Sequence, residues 1–529
     1  MPEPSATLTP CPDDAATFHY FHRRELESAQ NHLQLANRYQ HRPERLEGDN
    51  FRNILQSLSW CYEAKRWQMV LDFVTALRTF FDRRGHWTEG IAAGKWALEA
   101  CKHLDAQDQH AQLAFDLGQL YDWSGQLSEA EVQYRASAEQ ARRLGQTQAL
   151  ADALHRLGWV AHARRDYPIA EKHYRDAMAL RRDLGDTIGL SRSMHQLGML
   201  AHDRGDYPEA ERLYQESLQL RRDQGDLYLI AASLHQLGVL ATERRNWNEA
   251  YDYFREALNI RNQIYDLPGQ ADTSHELGIV TQEQNDYQAA RAYYVKSLEV
   301  KEELGDELGL IHTQMQLGAL ALAQNDFDEA QRWFHDSLGK SRSLGDGYRE
   351  AQALLQLGVT HYRQLRYNEA LENFRRSLDR FSQYEGAQRE QAGILYQLGL
   401  IAHDQKQLEE AERYYRESLV TQEPADFQPD AAQTHLQLGM LAQARGQFAE
   451  AQRHYQVSYP VFQAGGEQFS FYLAQVTHRL GNVAEVLEQR DSARVYYQQA
   501  LQLYRALDLP DIESLIEYVQ AALRRVNTS

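Results

Sequence analysis

The chain is poor in cysteine: Cys11, Cys61 and Cys101 are the only three in 529 residues, and they show no disulfide-like pattern. That excludes a disulfide-stapled scaffold and argues for a reducing compartment. There is no 18-residue apolar run and no secretory leader, so no membrane span is expected and a cytoplasmic location is. Positive charge is short as well, because 56 Lys and Arg against 75 Asp and Glu leave a formal net charge of −19. So acidic a chain disfavours nucleic acid and anionic membrane as partners. No paired-carboxylate or nucleophile–base constellation stands out, so neither enzymatic activity nor a cofactor is expected.

What the chain does have is repetition. Leu-Gly pairs recur at Gly118, Gly158, Gly198, Gly238, Gly278, Gly318, Gly358, Gly399, Gly439 and Gly481, with a period of 40 residues for six intervals and then 41, 40 and 42. A fixed period of this size means one supersecondary unit stacked on copies of itself, each leaving an apolar face that a neighbour covers. Twelve residues after each Gly comes Ala (Ala130, Ala170, Ala210 and onward to Ala493), and sixteen after it comes an aromatic (Tyr134, Tyr174, Tyr214, Phe254 and onward to Tyr497). A small residue follows three later, as in Ser137, Ala177, Ser217 and Ala257. Spacings of three and four define one face of an α-helix, so each copy is predicted to be two helices, A and B. Gly and Ala are expected where the two backbones approach most closely, with the aromatic filling space against the next pair.

The turns agree with that division. Between helices A and B lie Arg165-Asp166-Tyr167-Pro168, Gly205-Asp206-Tyr207-Pro208, Asn285-Asp286-Tyr287 and Asn325-Asp326-Phe327, where Asp caps helix B and Pro fits its first turn. Between repeats, Leu184-Gly185-Asp186, Leu304-Gly305-Asp306 and Leu344-Gly345-Asp346 end one helix and open the next. The extra residues of the longer intervals fall in loops around Tyr384-Glu385-Gly386 and Ala464-Gly465-Gly466. One decoy is present. Gly90-Ile91-Ala92-Ala93-Gly94-Lys95-Trp96 is one residue short of a phosphate loop, carries Trp where the magnesium-binding hydroxyl belongs, follows no strand and aligns with a helix B.

These positions, Leu197-Gly198, Ala210, Tyr214, Ser217 and their equivalents, closely resemble the tetratricopeptide repeat in its longer form of about 40 residues. The family's Pro at the end of helix B is replaced by the Leu-Gly-Asp turn. The long form looks like that of kinesin light chains and of bacterial peptide receptors and signalling ATPases. Leu46-Glu47-Gly48-Asp49-Asn50-Phe51-Arg52, Leu58-Ser59-Trp60 and Arg84-Gly85-His86-Trp87-Thr88-Glu89-Gly90 are similar to the segment joining the ATPase core to the repeats in bacterial STAND-type proteins. The expected fold is therefore an all-α, right-handed α-solenoid of about ten helix-turn-helix repeats. Residues 1–15 are expected as a Pro-rich disordered lead, 16–106 as an N-terminal helical region with a degenerate repeat, 107–507 as the ten repeats, and 508–529 as a capping helix and tail.

The resemblance also implies a site. Family ligands usually lie in the concave groove lined by helix A, at positions three and two before the Gly and one, four and five after it. Three before, four consecutive copies carry His155, His195, His235 and His275; two before are Gln196, Gln236, Gln316, Gln356, Gln397 and Gln437. Four after the Gly lie His162, His202, Gln282, Tyr362 and His403, near the acids Asp203, Glu243 and Glu283, with Trp159, Met199, Val239 and Ile279 as apolar floor. Gln offers a donor and an acceptor suited to a peptide main chain, and His a stacking face with a charge near neutral pH. A metal site is not expected. Neighbouring helices pack about 8–10 Å apart and His155 and His162 lie about 10 Å apart along one axis, whereas His nitrogens sit about 2.0–2.1 Å from zinc. The expected function is a non-catalytic scaffold or receptor holding a protein or peptide segment in the groove; the alternative is a sensor arm for a signalling ATPase or effector enzyme supplied in trans.

Overall fold

The structure, a computed structural model, describes residues 12–41, 46, 48–422, 428–507 and 512–528. Among them every regular element is helical, with 25 α-helices and one 3-10 turn at Gly466–Phe469. Four helices precede the array: α1 (Pro12–Tyr39), α2 (Asp49–Glu63), α3 (Trp67–Arg84) and α4 (Trp87–Leu104). Of the lead expected over 1–15, residues 1–11 lie outside the described residues and α1 already begins at Pro12. Ten A/B pairs follow, from Gln107–Trp123 with Leu127–Arg143 in repeat 1 to Ser470–Val486 with Arg490–Ala506 in repeat 10, and then a last helix, Glu513–Thr528. The chain divides into two compact units, Met1–Asp266 and Leu267–Ser529; within each, an A helix packs on its own B helix and on the flanking pairs.

The predicted turn chemistry is in place. The Asp166, Asp206, Asp286 and Asp326 side chains accept hydrogen bonds from the third backbone N–H of helix B. Gly185 and Gly305 end their helices at φ 68° and 67°, and Asp186 and Asp306 cap the helices that follow. The phosphate-loop decoy lies inside α4.

The packing inside each pair differs from the expectation. A Cβ on any of the ten lattice glycines would meet the aromatic ring of its own repeat at 2.7 Å or less, for instance Gly238 against Phe254 at 2.6 Å. The glycine thus seats a ring, not a neighbouring backbone. The backbones approach instead at the small residue of helix B: the Ser137, Ser217, Ser377 and Ser458 hydroxyls donate to the Ala111, Ser191, Ala351 and Ala432 carbonyls across 2.7–2.8 Å. All ten rings are fully buried. Gly339, in helix B of repeat 6 (Phe327–Ser343), is the opposite case, with open space where a Cβ would go. Gly339→Ala should raise stability by about 0.5–1 kcal/mol through helix propensity alone. A urea midpoint that fails to rise contradicts this placement.

Candidate binding groove

Helix A carries the predicted site residues, and the structure sorts them into three rows. The first is His155, His195, His235 and His275. Each imidazole lies against the aromatic of its own repeat, with ring centroids 5.5 Å apart for His155–Tyr174, 5.3 Å for His195–Tyr214, 5.3 Å for His235–Phe254 and 5.5 Å for His275–Tyr294. Burial, aided by a neighbouring cation, pushes all four down to about 3. The expectation of charge near neutral pH is corrected here: these histidines are neutral packing groups.

The neighbouring cation is a feature that sequence reasoning missed. In the sequence, Arg181-Arg182 and Arg221-Arg222 stand at helix B ends as cations suited to complement helix C-termini, yet Arg181 and Arg221 are buried and reach the next repeat, as does Lys301 at the same position. Arg181 Nη1 donates to the Gly189 carbonyl (2.9 Å) and Ser193 Oγ (2.7 Å), lies 3.4 Å from His155 Nδ1, and Nη2 donates to Asp152 (2.7 Å). Arg221 repeats the contact with the Leu229 carbonyl (3.0 Å) and Ser233 (2.6 Å). Lys301 donates to Thr313 (3.1 Å), whose hydroxyl lies 3.3 Å from His275 Nδ1. A readable signal existed. The four consecutive copies with His carry Arg181, Arg221, Arg261 and Lys301 26 residues later, whereas Phe115, Met315 and Leu355 are followed by Ala141, Ser341 and Phe381. Buried charge needs this many partners, so each pair acts as a register pin between adjacent repeats.

The second row, Gln196, Gln236, Gln316, Gln356, Gln397 and Gln437, is half-buried with Trp159, Met199, Val239 and Ile279 half-buried beside it. The third row is paired internally: His162 Nε2 to Asp203 (2.7 Å), His202 Nε2 to Glu243 (2.7 Å) and the Tyr362 hydroxyl donating to Asp404 (2.9 Å). Gln282 accepts from Tyr294 (3.3 Å), and the His403 ring lies 6.5 Å from that of Tyr415. The acids Asp203 and Glu243 stay 53% and 43% exposed, while the His162 and His202 side chains they meet are largely covered.

Nothing in these rows assembles a nucleophile with a base. Burial pushes the Cys61 and Cys101 thiols up to about 11, leaving neither as a ready nucleophile. Among the described residues no three His, Cys, Asp or Glu converge to hold a metal ion, and no helix is long and apolar enough to cross a membrane.

Comparison with known proteins gives the following. The family model described as tetratricopeptide repeat matches residues 149–223, 229–303, 307–383 and 390–464, more than half of the chain. No curated protein matches. Among solved structures, the chain is similar to BtubC from P. vanneervenii, at 22% identity over 41% of this chain and 92% of that one, with a TM-score of 0.39. It is similar to a signal transduction ATPase with numerous domains that bears a tetratricopeptide repeat sensor, from Pyrococcus horikoshii, at 15% identity over 68% of this chain and 54% of that one, with a TM-score of 0.50. The apo quorum sensor NprR from B. thuringiensis matches at 13% identity over 69% and 99%, with a TM-score of 0.47. At these identities the likeness concerns the fold alone.

Proposed function

This chain belongs to the tetratricopeptide repeat family, and from that premise we propose that its A-helix faces hold an extended or helical segment of a partner polypeptide without catalysing a reaction. The supporting observation is the amide row. Gln196 and Gln236 in the first unit, and Gln316, Gln356, Gln397 and Gln437 in the second, stand half-buried at one helical position beside apolar side chains. An amide so placed satisfies a main-chain N–H or C=O, while the floor beside it takes alternate side chains. The acidic net charge favours polypeptide over nucleic acid or membrane as the ligand. The histidine row serves this surface by packing between repeats, as His155 does on Arg181 and Ser193 and His275 on Thr313.

The test is affinity purification with mass spectrometry, comparing the native chain with Gln196→Ala/Gln236→Ala and with Gln316→Ala/Gln356→Ala. Histidine substitutions are unsuitable, since they would disturb packing. With circular dichroism and melting unchanged, selective loss of a partner is expected. Recovery of an identical partner set from all three proteins refutes groove recognition. A lost partner bearing a nucleotide-binding core would favour the regulatory arm acting in trans.

A further inference from the structure

The column of the amide row, two residues before the lattice glycine, holds a few charges among its glutamines. Asp116 and Arg156, in repeats 1 and 2, are answered inside the chain: Arg78 and Gln112 each donate to Asp116 across 2.7 Å, and Asp122 stands 4.0 Å from Arg156. Glu276, in repeat 5, is not. It lies on helix A (Leu267–Glu283) in the second unit, half-buried like Gln316, Gln356, Gln397 and Gln437 in the repeats that follow. Among the described residues its carboxylate accepts no hydrogen bond and forms no ion pair.

The surroundings of Glu276 supply no close counter-charge. Its own helix brings Asp272 and His275, helix B (Tyr287–Leu304) brings Tyr294 and Lys301, and the next helix A (Glu307–Ala323) brings His312. Lys301 donates its ammonium proton to Thr313 (3.1 Å) and acts on Glu276 only through space. Burial holds His275 and His312 below the ordinary histidine value and Tyr294 above the ordinary tyrosine value, so all three are neutral at pH 7. Burial first, and then the Asp272 charge, push the Glu276 carboxyl up to about 7, with Lys301 opposing. A half-buried carboxylate without a bonded partner is poorly stabilised until an outside group supplies one. Ile279, half-buried three residues on and on the same helical face, offers an apolar wall to the stem of such a group.

We propose that Glu276 is a specificity-determining residue of the groove, taking a lysine or arginine side chain of the bound segment with its ammonium or guanidinium on the carboxylate and its methylenes along Ile279. The assignment rests on the groove reading and adds to it the charge of the segment at one rung. A neutral amide in the same column, such as Gln316, pairs with main chain and makes no such choice.

Selection of a random dodecapeptide display library on the full chain, beside Glu276→Gln, Glu276→Lys and Gln316→Ala/Gln356→Ala, tests it. Glutamine is the residue of the following repeats at this position, so Glu276→Gln should keep its circular dichroism and melting. Peptides enriched on the native chain should carry Lys or Arg at one fixed place, lose that preference on Glu276→Gln and exchange it for Asp or Glu on Glu276→Lys. In isothermal titration, norleucine in place of that basic residue should weaken an enriched peptide about tenfold on the native chain and less than about twofold on Glu276→Gln. The enriched peptide should also tighten severalfold from pH 6 to pH 8 as Glu276 ionises, and only where Glu276 is present. Enrichment that depends on Gln316 and Gln356 but shows no basic preference, or one unchanged on Glu276→Gln, overturns the proposal and leaves the groove standing. Tightening toward pH 6 also overturns it, because a protonated Glu276 would then be donating to a carbonyl. If no peptide depends on the glutamines, the groove reading falls and this assignment with it.

Discussion

Gly238→Leu should collapse the packing of repeat 4. A Cβ at Gly238 would lie 2.6 Å from Phe254 Cε1 and 2.7–2.8 Å from two further ring atoms, and Phe254 is fully buried. Helix propensity favours the change from glycine by up to about 1 kcal/mol, but overpacking a filled core costs about 1–3 kcal/mol for a methylene or two, and a leucine inserts four carbons. The net loss should exceed about 3 kcal/mol, with Gly238→Ala losing less. In a solenoid, where each repeat is stabilised by its neighbours, such a loss propagates beyond the mutated pair. A double-mutant cycle isolates the cause. Phe254→Ala removes the ring, so Gly238→Ala should cost far less in that background, with a coupling energy of about 1–3 kcal/mol in urea melts. Additive losses, or a Gly238→Leu protein that melts like the native chain, would sink the ring-on-glycine assignment.

Much of this fold was legible in the sequence because its determinants are local. Asp166 and Asp206 cap the helices that follow them by accepting from the backbone N–H three residues ahead, and Gly185 takes the left-handed conformation that ends its helix. The period then placed every pair in register. What the pattern concealed was which partner each repeated residue meets. The twelve- and sixteen-residue columns look alike whether the ring seats on its own glycine or on the next pair. Arg181 and Arg221 read as cations complementing helix C-termini, and only the pairing of that column with the histidine column 26 residues earlier betrays their burial. The groove residues divide the same way. The glutamine row was readable as a face, whereas pairs such as His162 with Asp203, 41 residues apart, depend on the spacing between adjacent repeats.

The row of His155, His195, His235 and His275 should make the protein lose stability as pH falls below about 6.5. His155 is held down to about 3 by burial first, then by Arg181, Arg156 and Arg192; His195 by burial and Arg221; His235 by burial and Arg261; His275 by burial, His312 and Lys301. In the unfolded chain these imidazoles protonate near their ordinary value of 6.5. Between about 3 and 6.5 the unfolded state therefore binds more protons than the folded one, so the stability present above that window is lost as pH falls through it. At pH 5 the loss is about 2 kcal/mol for each histidine, and four together represent a large part of the stability of the repeats that carry them. Repeat 1 shows how to remove the effect, since it carries Phe115 with Ala141 where repeat 2 carries His155 with Arg181. His155→Phe/Arg181→Ala imports that pair, removing the titrating group and its buried cation together. Urea midpoints at pH 7 and pH 5 should fall steeply for the native chain and measurably less for this variant. Equal falls would mean that His155 titrates normally in the folded state, and an imidazole resonance of the native protein assigned to His155 and titrating near 6.5 would say the same directly.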